Sequence, residues 1–331
     1  MEERRKIRIL TLGGTIAMKE DAHGQAKPAA DGFKVVAQIK KYGDIGADVE
    51  VEAISNIPSS HLTVEGMLNV AKHIKELSDE GNTNGFVVTQ GTDTQEETAY
   101  MLGLVLNIKQ PVVITGAMRN GSEPSYDGII NVRNACRAAA DPASQEHGVM
   151  LYCNDYLHEG KYVTKTHTSN VATFQSPIYG PVGMVEKHKV LYFRKSTQLE
   201  HFPIPDEVAE VAVIKCVAGI KDYLIEACID VGVRGIVIEG LGRGHVPPGA
   251  IPAIKEAVKE GIPCVLCSRC ESGFVLDAYS HIASAKHMKD IGMIFGTDLS
   301  GQKARLKLIA ILGQTNDMEK ICKLFERGIY D

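Results

Sequence analysis

Nothing in the sequence approaches the ~18 consecutive apolar residues of a membrane-spanning helix, which excludes an anchor of that kind. The opening residues, Met1-Glu2-Glu3-Arg4-Arg5-Lys6, lead into only a short apolar stretch, Ile7 to Leu12. A secretory leader needs a longer apolar region and a small-residue cleavage site, so the expected compartment is the cytoplasm. No basic excess exists either. Net charge is −5 with the charges interspersed, so neither nucleic acid nor a membrane surface is an expected partner. Like-charge tails, low-complexity tracts and solenoid repeats are absent. Cys264-x-x-Cys267-x-x-Cys270 imitates part of an iron–sulfur run, but Phe274 stands where the next cysteine would fall. Cys264 and Cys267 also sit on an expected strand, where positions three apart face opposite ways. Packing of free thiols is the favoured reading, and no metal site is expected. No G-x-G-x-x-G follows the first strand and no G-x-S-x-G occurs, which removes dinucleotide and serine-hydrolase signatures.

What is present belongs to a globular α/β protein. Apolar residues make up 44% and charged residues 23%, and 331 residues exceed one ordinary core. Strands are predicted over Ile7–Leu12, Val49–Ser55, Phe86–Gln90, Val112–Thr115 and Gly148–Tyr152. Helices are predicted over Val64–Leu77, Glu96–Leu106 and Ile129–Ala140. That alternation predicts a mostly parallel sheet with helices on both faces. The Thr, Asn, Gly and Pro content of Tyr162–Met184 predicts a hairpin and loop segment. A shorter cycle follows: strands Val211–Val217, Gly235–Glu239, Cys264–Cys267 and Gly292–Phe295, with helices Tyr223–Val231, Ile251–Lys259 and near 301–314 and 317–327. The expected organisation is a catalytic α/β domain over 1–194, a linker over 195–210 and a smaller α/β domain over 211–331.

In open α/β sheets ligands bind beyond the carboxyl ends of the strands. Three such loops carry glycine and hydroxyls. In Gly13-Gly14-Thr15 two glycines allow a tight turn and place a threonine at a strand end, and an irregular, lid-like segment follows. An ordinary glycine turn explains the same residues equally well. In Gly91-Thr92-Asp93-Thr94, Thr94 with Glu97 has the spacing of a capping box. Thr92 and Asp93 remain, at a helix N-terminus suited to an oxyanion. Asp93 fits either a cap or the grip on an ammonium group. Thr115-Gly116-Ala117-Met118-Arg119 is a third strand-end turn. A threonine hydroxyl needs a proton acceptor, and Lys165 in Val163-Thr164-Lys165-Thr166-His167-Thr168 supplies one if its pKa falls toward ~7–8. His167 reads as a surface or bridging residue.

Taken together, GGTIA at 13–17, QGTDTQEET at 90–98, PVVITGAMR at 111–119 and TKTHTSNVATF at 164–174 resemble the bacterial asparaginase/glutaminase family over nearly the whole chain. The resemblance implies a large N-terminal domain, a smaller C-terminal α/β domain, homo-oligomers (dimers or tetramers) with sites at the dimer interface, and no cofactor. It implies that Thr15 attacks the amide carbonyl, that Lys165 and Thr92 activate water, and that Asp93 orients Lys165 or binds the substrate ammonium. Backbone N–H groups of Thr92 and Ala117 would form the oxyanion hole, and Ser59 and Ser60 would meet the substrate carboxylate. Members of the family carry a lid tyrosine, whereas Gly14 to Gly32 has none here and Gln25 or Ala26 stands nearest. His245 stands where secreted members have asparagine, and Tyr279 stands near their glutamate. Both are candidate second-domain or cross-subunit contacts.

The expected activity is hydrolysis of the L-asparagine side-chain amide to aspartate and ammonia. The alternatives are glutamine or a larger or N-substituted amide admitted by the short Ser60, and a non-catalytic amino-acid sensor. A sensor has no need of Lys165. An ammonia-supplying component of a tRNA amidotransferase ranks lower, because the chain starts at its first strand.

Overall fold

The computed structural model describes residues 4–14, 18–20, 26–28, 39, 44–187, 189–197 and 200–326. The chain divides into two compact units, Met1–Gln198 and Leu199–Asp331.

The first unit is built on β1 (Arg5–Thr11), β4 (Ala47–Ala53), β5 (Gly85–Thr89), β6 (Val112–Thr115), β7 (Val149–Cys153), β8 (Tyr156–Glu159), β11 (Gly183–Glu186) and β12 (Lys189–Tyr192). Two short hairpins, β2 (Met18–Glu20) with β3 (Ala26–Pro28) and β9 (Thr164–Lys165) with β10 (Phe174–Gln175), stand outside that sheet. The sheet order is β12-β11-β8-β7-β6-β5-β1-β4. From β4 to β7 every pairing is parallel, in registers such as Ile7↔Val49, Val87↔Val113 and Ile114↔Leu151. β8, β11 and β12 close the far edge with antiparallel pairings. A mostly parallel α/β sheet is therefore the architecture, as predicted. The three antiparallel edge strands are additional to that expectation, which left Tyr162–Met184 as hairpin and loop.

Burial explains the parallel core. β5, β6 and β7 are buried at every position, the condition of strands covered on both faces. Helix α1 (Val64–Asp79) starts at Thr63, whose Oγ1 accepts the Gly66 N–H at 3.2 Å. Helix α2 (Gln95–Val105) is buried almost all round. Helix α3 (Gly128–Ala140) lays Val132, Ala135 and Ala138 into one core with Val87, Val113 and Met150. Small residues on that helix allow close approach to the sheet.

The order of strands places the site. After β1 the chain lays β4 on one side of it, then crosses to lay β5 on the other. That reversal is a topological switch point, and it opens a crevice between the carboxyl ends of β1 and β5. The glycine-threonine loops of the sequence analysis follow those two strands.

The second unit carries β13 (Val211–Lys215), β14 (Gly235–Gly240), β15 (Cys264–Ser268) and β16 (Ile294–Phe295), all parallel and in that order. Its helices are α4 (Tyr223–Asp230), α5 (Ile251–Lys259), α6 (Ala285–Ile291), α7 (Gly301–Leu312) and α8 (Met318–Glu326). The predicted strand at Gly292–Phe295 shrinks to two residues because Gly292, at φ 112°, ends α6, a helix absent from the sequence reading. Ser284 starts that helix by accepting the His287 N–H. Cys264 and Cys267 are buried, and burial pushes the Cys264 thiol up to about 12 and that of Cys267 higher still, against thiolate ligation. No helix among the described residues is long and apolar enough to cross a membrane.

Candidate active site

The frame of the site is backbone. The Leu12 N–H donates to the Thr89 carbonyl at 2.8 Å, holding the end of β1 to the end of β5. Gly13 and Gly14 follow at φ 101° and 87°. A Cβ at Gly14 would stand 2.1 Å from the Gly91 nitrogen and 2.3 Å from its Cα, so the two turns touch through main chain. Thr15 lies outside the described residues, and so does most of the segment where a lid was expected.

Immediately after Gly91 a 3-10 turn, Thr92–Thr94, runs directly into α2. Thr92 is buried, 7% exposed. Lys165 reaches it from β9: its Nζ donates to Thr92 Oγ1 at 2.9 Å and to Asp93 Oδ1 at 2.7 Å. The Lys165 side chain is 15% exposed and that of Asp93 66%, so the lysine is enclosed and the carboxylate stands at the mouth. Glu96 Oε2 accepts the Lys165 N–H at 2.7 Å. No local spacing singles out Glu96, since its partner lies 69 residues further along the chain.

Ser59 packs beneath the same turn. It is buried, and its Oγ accepts the Asp93 N–H at 3.3 Å. As acceptor in that contact, the hydroxyl keeps its own proton for an anion. Ser60 is exposed beside it. The capping-box expectation for Thr94 fails. Its side chain caps nothing; Oγ1 donates to the Ser59 carbonyl at 3.0 Å and accepts from Gln90 Nε2 at 2.9 Å. The physical reason is the preceding 3-10 turn, which ends on Thr94 and leaves its hydroxyl committed to Ser59 and Gln90 instead of to the first turn of α2. Gln95 Nε2 in turn donates to the Gln90 carbonyl at 2.8 Å. Sequence reasoning passed over Gln90 and Gln95, whose only signal was amide side chains flanking the turn.

The third loop lies beside the second, because β6 pairs with β5. Asp127 takes the N–H groups of Met118 at 3.1 Å and Arg119 at 3.0 Å. Asn131 Nδ2 donates to the Gly116 carbonyl at 2.9 Å. Ala117 is buried, and among the described residues nothing accepts its N–H. Burial, with Asp127 and Asp155 nearby, pushes the Cys153 thiol up to about 12, and burial with Asp127 raises the Tyr126 phenol too. Neither group ionises near neutrality, so neither supplies an anionic nucleophile to these loops. His167 is occupied structurally: its Nδ1 accepts the Ser169 and Asn170 N–H groups at 3.1 and 3.0 Å.

His245 and Tyr279 belong to the second unit, with ring centroids 5.1 Å apart. His281 lies 5.1 Å from His245. Burial first, and His281 second, hold the His245 pKa below its ordinary value.

The chain matches two family models, described as "Asparaginase, N-terminal" over residues 6–198 and "Glutaminase/Asparaginase C-terminal domain" over residues 210–325. It is 36% identical to a protein named "L-asparaginase 2" from Escherichia coli over 97% of this chain and 92% of that one. It is 31% identical to an "L-asparaginase" from Bacillus licheniformis, over 96% and 99%. It is also 32% identical to a "Glutaminase-asparaginase" from Pseudomonas aeruginosa, over 96% of this chain and 89% of that protein.

Proposed function

The chain belongs to the asparaginase family and is an amidohydrolase, and from that premise we propose that it hydrolyses the side-chain amide of L-asparagine to aspartate and ammonia with Thr15, Thr92, Asp93 and Lys165. The observation that carries the assignment of residues is Lys165 Nζ bridging Thr92 Oγ1 at 2.9 Å and Asp93 Oδ1 at 2.7 Å in the crevice beside β1.

In this reading Thr15 Oγ attacks the amide carbonyl. The oxyanion is held by the N–H groups of Thr92 and Ala117, and the proton that Thr15 gives up passes to the amide nitrogen, which leaves as ammonia. Thr92 and Lys165 then activate the water that releases aspartate. When Nζ gives up one proton, the same 2.9 Å line that now donates to Thr92 lets it accept the Thr92 proton. One amide and one water enter, one acid and one ammonia leave, and the balance needs no cofactor. Ser59, with its hydroxyl proton uncommitted, takes the α-carboxylate together with Ser60, and Asp93 at the mouth meets the α-ammonium.

The same machinery would act on glutamine or a larger amide, and the exposed, short Ser60 favours testing that directly. We further propose a cytoplasmic homo-oligomer, dimer or tetramer, with His245 and Tyr279 as candidates for contact with the substrate of a second copy. Eight free cysteines support a reducing compartment.

Ammonia release from asparagine, glutamine and N-substituted asparagines, measured for wild type, Thr15→Ala and Thr92→Ala, tests the reading. Asparagine turnover by wild type and losses of about 10²-fold or more in both variants are expected. Turnover of bulky amides alone would move the substrate. Binding of asparagine without turnover would make the protein a sensor, and full activity in both variants would discard the threonine mechanism.

A further inference from the structure

We propose that Glu96 is a positioning residue that sets the reach of Lys165 to Thr92; the inference rests on the amidohydrolase reading above. Lys165 sits on β9, a two-residue strand whose only partner among the described residues of its sheet is the two-residue β10, in the register Lys165↔Phe174. Such a ladder is too short to fix a catalytic lysine on its own. Along the hairpin, Thr166 donates its N–H across to the Thr173 carbonyl at 2.8 Å. Successive N–H groups of a strand point to opposite sides, so the Lys165 N–H faces away from its partner and needs another acceptor.

Glu96 Oε2 is that acceptor, at 2.7 Å. Its residue is buried, 8% exposed, and is the second residue of α2. The helix that Glu96 belongs to continues from the turn that carries Thr92 and Asp93. One carboxylate therefore ties the backbone of the lysine to the element that holds its hydroxyl partner. A charge-assisted bond to an N–H is stronger and shorter than a neutral one, which suits an anchor. The main-chain anchor and the side-chain contacts Nζ–Thr92 and Nζ–Asp93 lie at the two ends of one residue, so the lysine is fixed at both. Loss of the anchor leaves the side-chain contacts to hold a backbone that is free to move, and ~1 Å of misplacement costs up to ~10²-fold in rate.

The test compares Glu96→Ala and Glu96→Gln, alone and with Lys165→Met. Gln keeps an oxygen that accepts the N–H and discards the charge. Glu96→Ala is expected to lower kcat about 10- to 100-fold with KM changed less than about 3-fold, and Glu96→Gln to recover kcat to within about 5-fold of wild type. In the Lys165→Met background Glu96→Ala is expected to add almost nothing, since both changes disable one unit. Hydrogen exchange gives a readout independent of substrate: the Lys165 amide should exchange at least about 10-fold faster in Glu96→Ala and stay protected in Glu96→Gln. Unchanged exchange in Glu96→Ala overturns the anchor. Faster exchange with wild-type kcat overturns its catalytic consequence. Equal damage from Gln and Ala shows that charge acts instead of position, which also overturns the inference. If Lys165→Met itself keeps full activity, the failure lies in the amidohydrolase assignment of Lys165, and the exchange data still decide whether the anchor exists.

Discussion

Replacing Lys165 by methionine is expected to lower kcat for the amide substrate by about 10³-fold, with KM and thermal stability little changed. Methionine keeps the apolar stem that is enclosed here and deletes the nitrogen that donates to Thr92 and Asp93. A positioned acid–base group contributes about 10²- to 10⁴-fold, so the expected loss sits within that range. Stability should hold because Asp93 is 66% exposed, and an ion pair with one partner in solvent contributes little to folding. Lys165→Arg separates two roles. Arginine restores the positive charge beside Asp93 but does not deprotonate near neutral pH. If Lys165 serves as a proton acceptor, arginine should be nearly as inactive as methionine. Steady-state ammonia release from both variants, with melting curves to confirm folding, is the measurement. Arginine at wild-type rate would reduce Lys165 to an electrostatic tether and reassign the base.

How far the sequence prefigured this site depends on the range of each interaction. Val112–Thr115 and Ile251–Lys259 appear with the bounds that periodicity predicts, because burial repeats along a single element. The glycine-threonine turns were legible for a similar reason: strand ends in a parallel sheet concentrate ligand sites, and glycine there marks close backbone approach. Thr94 shows where local spacing misleads. Its separation from Glu97 satisfies the capping-box pattern, yet a 3-10 turn occupies the place where an open helix end would be, and the hydroxyl goes to Ser59 instead. The antiparallel strands β11 and β12 were missed because each is four residues long and the sequence around them is rich in turn formers. Glu96 was invisible for a different reason. Its significance is a hydrogen bond to a residue on another hairpin, and nothing near Glu96 in the sequence encodes that meeting.

The contact between the first two loops makes the second large prediction, Gly14→Ala. At φ 87° an alanine is strained wherever it sits, and here its Cβ would also stand 2.1 Å from the Gly91 nitrogen and 2.3 Å from Gly91 Cα. Both atoms are main chain, so no side chain is able to rotate aside. Relief requires the turn after β1 to part from the turn after β5, breaking the frame that holds Gly14 against Gly91. Gly81→Ala supplies the control, because Gly81 has φ 74° and nothing within 4 Å of its added Cβ. The control carries only the left-handed conformational cost, about 1–2 kcal/mol. Gly14→Ala should cost about 3 kcal/mol or more, joining the backbone-strain class of severely destabilising substitutions. Its melting temperature should fall well below that of Gly81→Ala, and the fraction that folds should lose kcat as well, since Thr15 follows directly on the displaced residue. Denaturant unfolding and ammonia release for the two variants decide the matter. Equal stability of the two, with full turnover by Gly14→Ala, would mean that the Gly14–Gly91 contact neither supports the fold nor frames the chemistry.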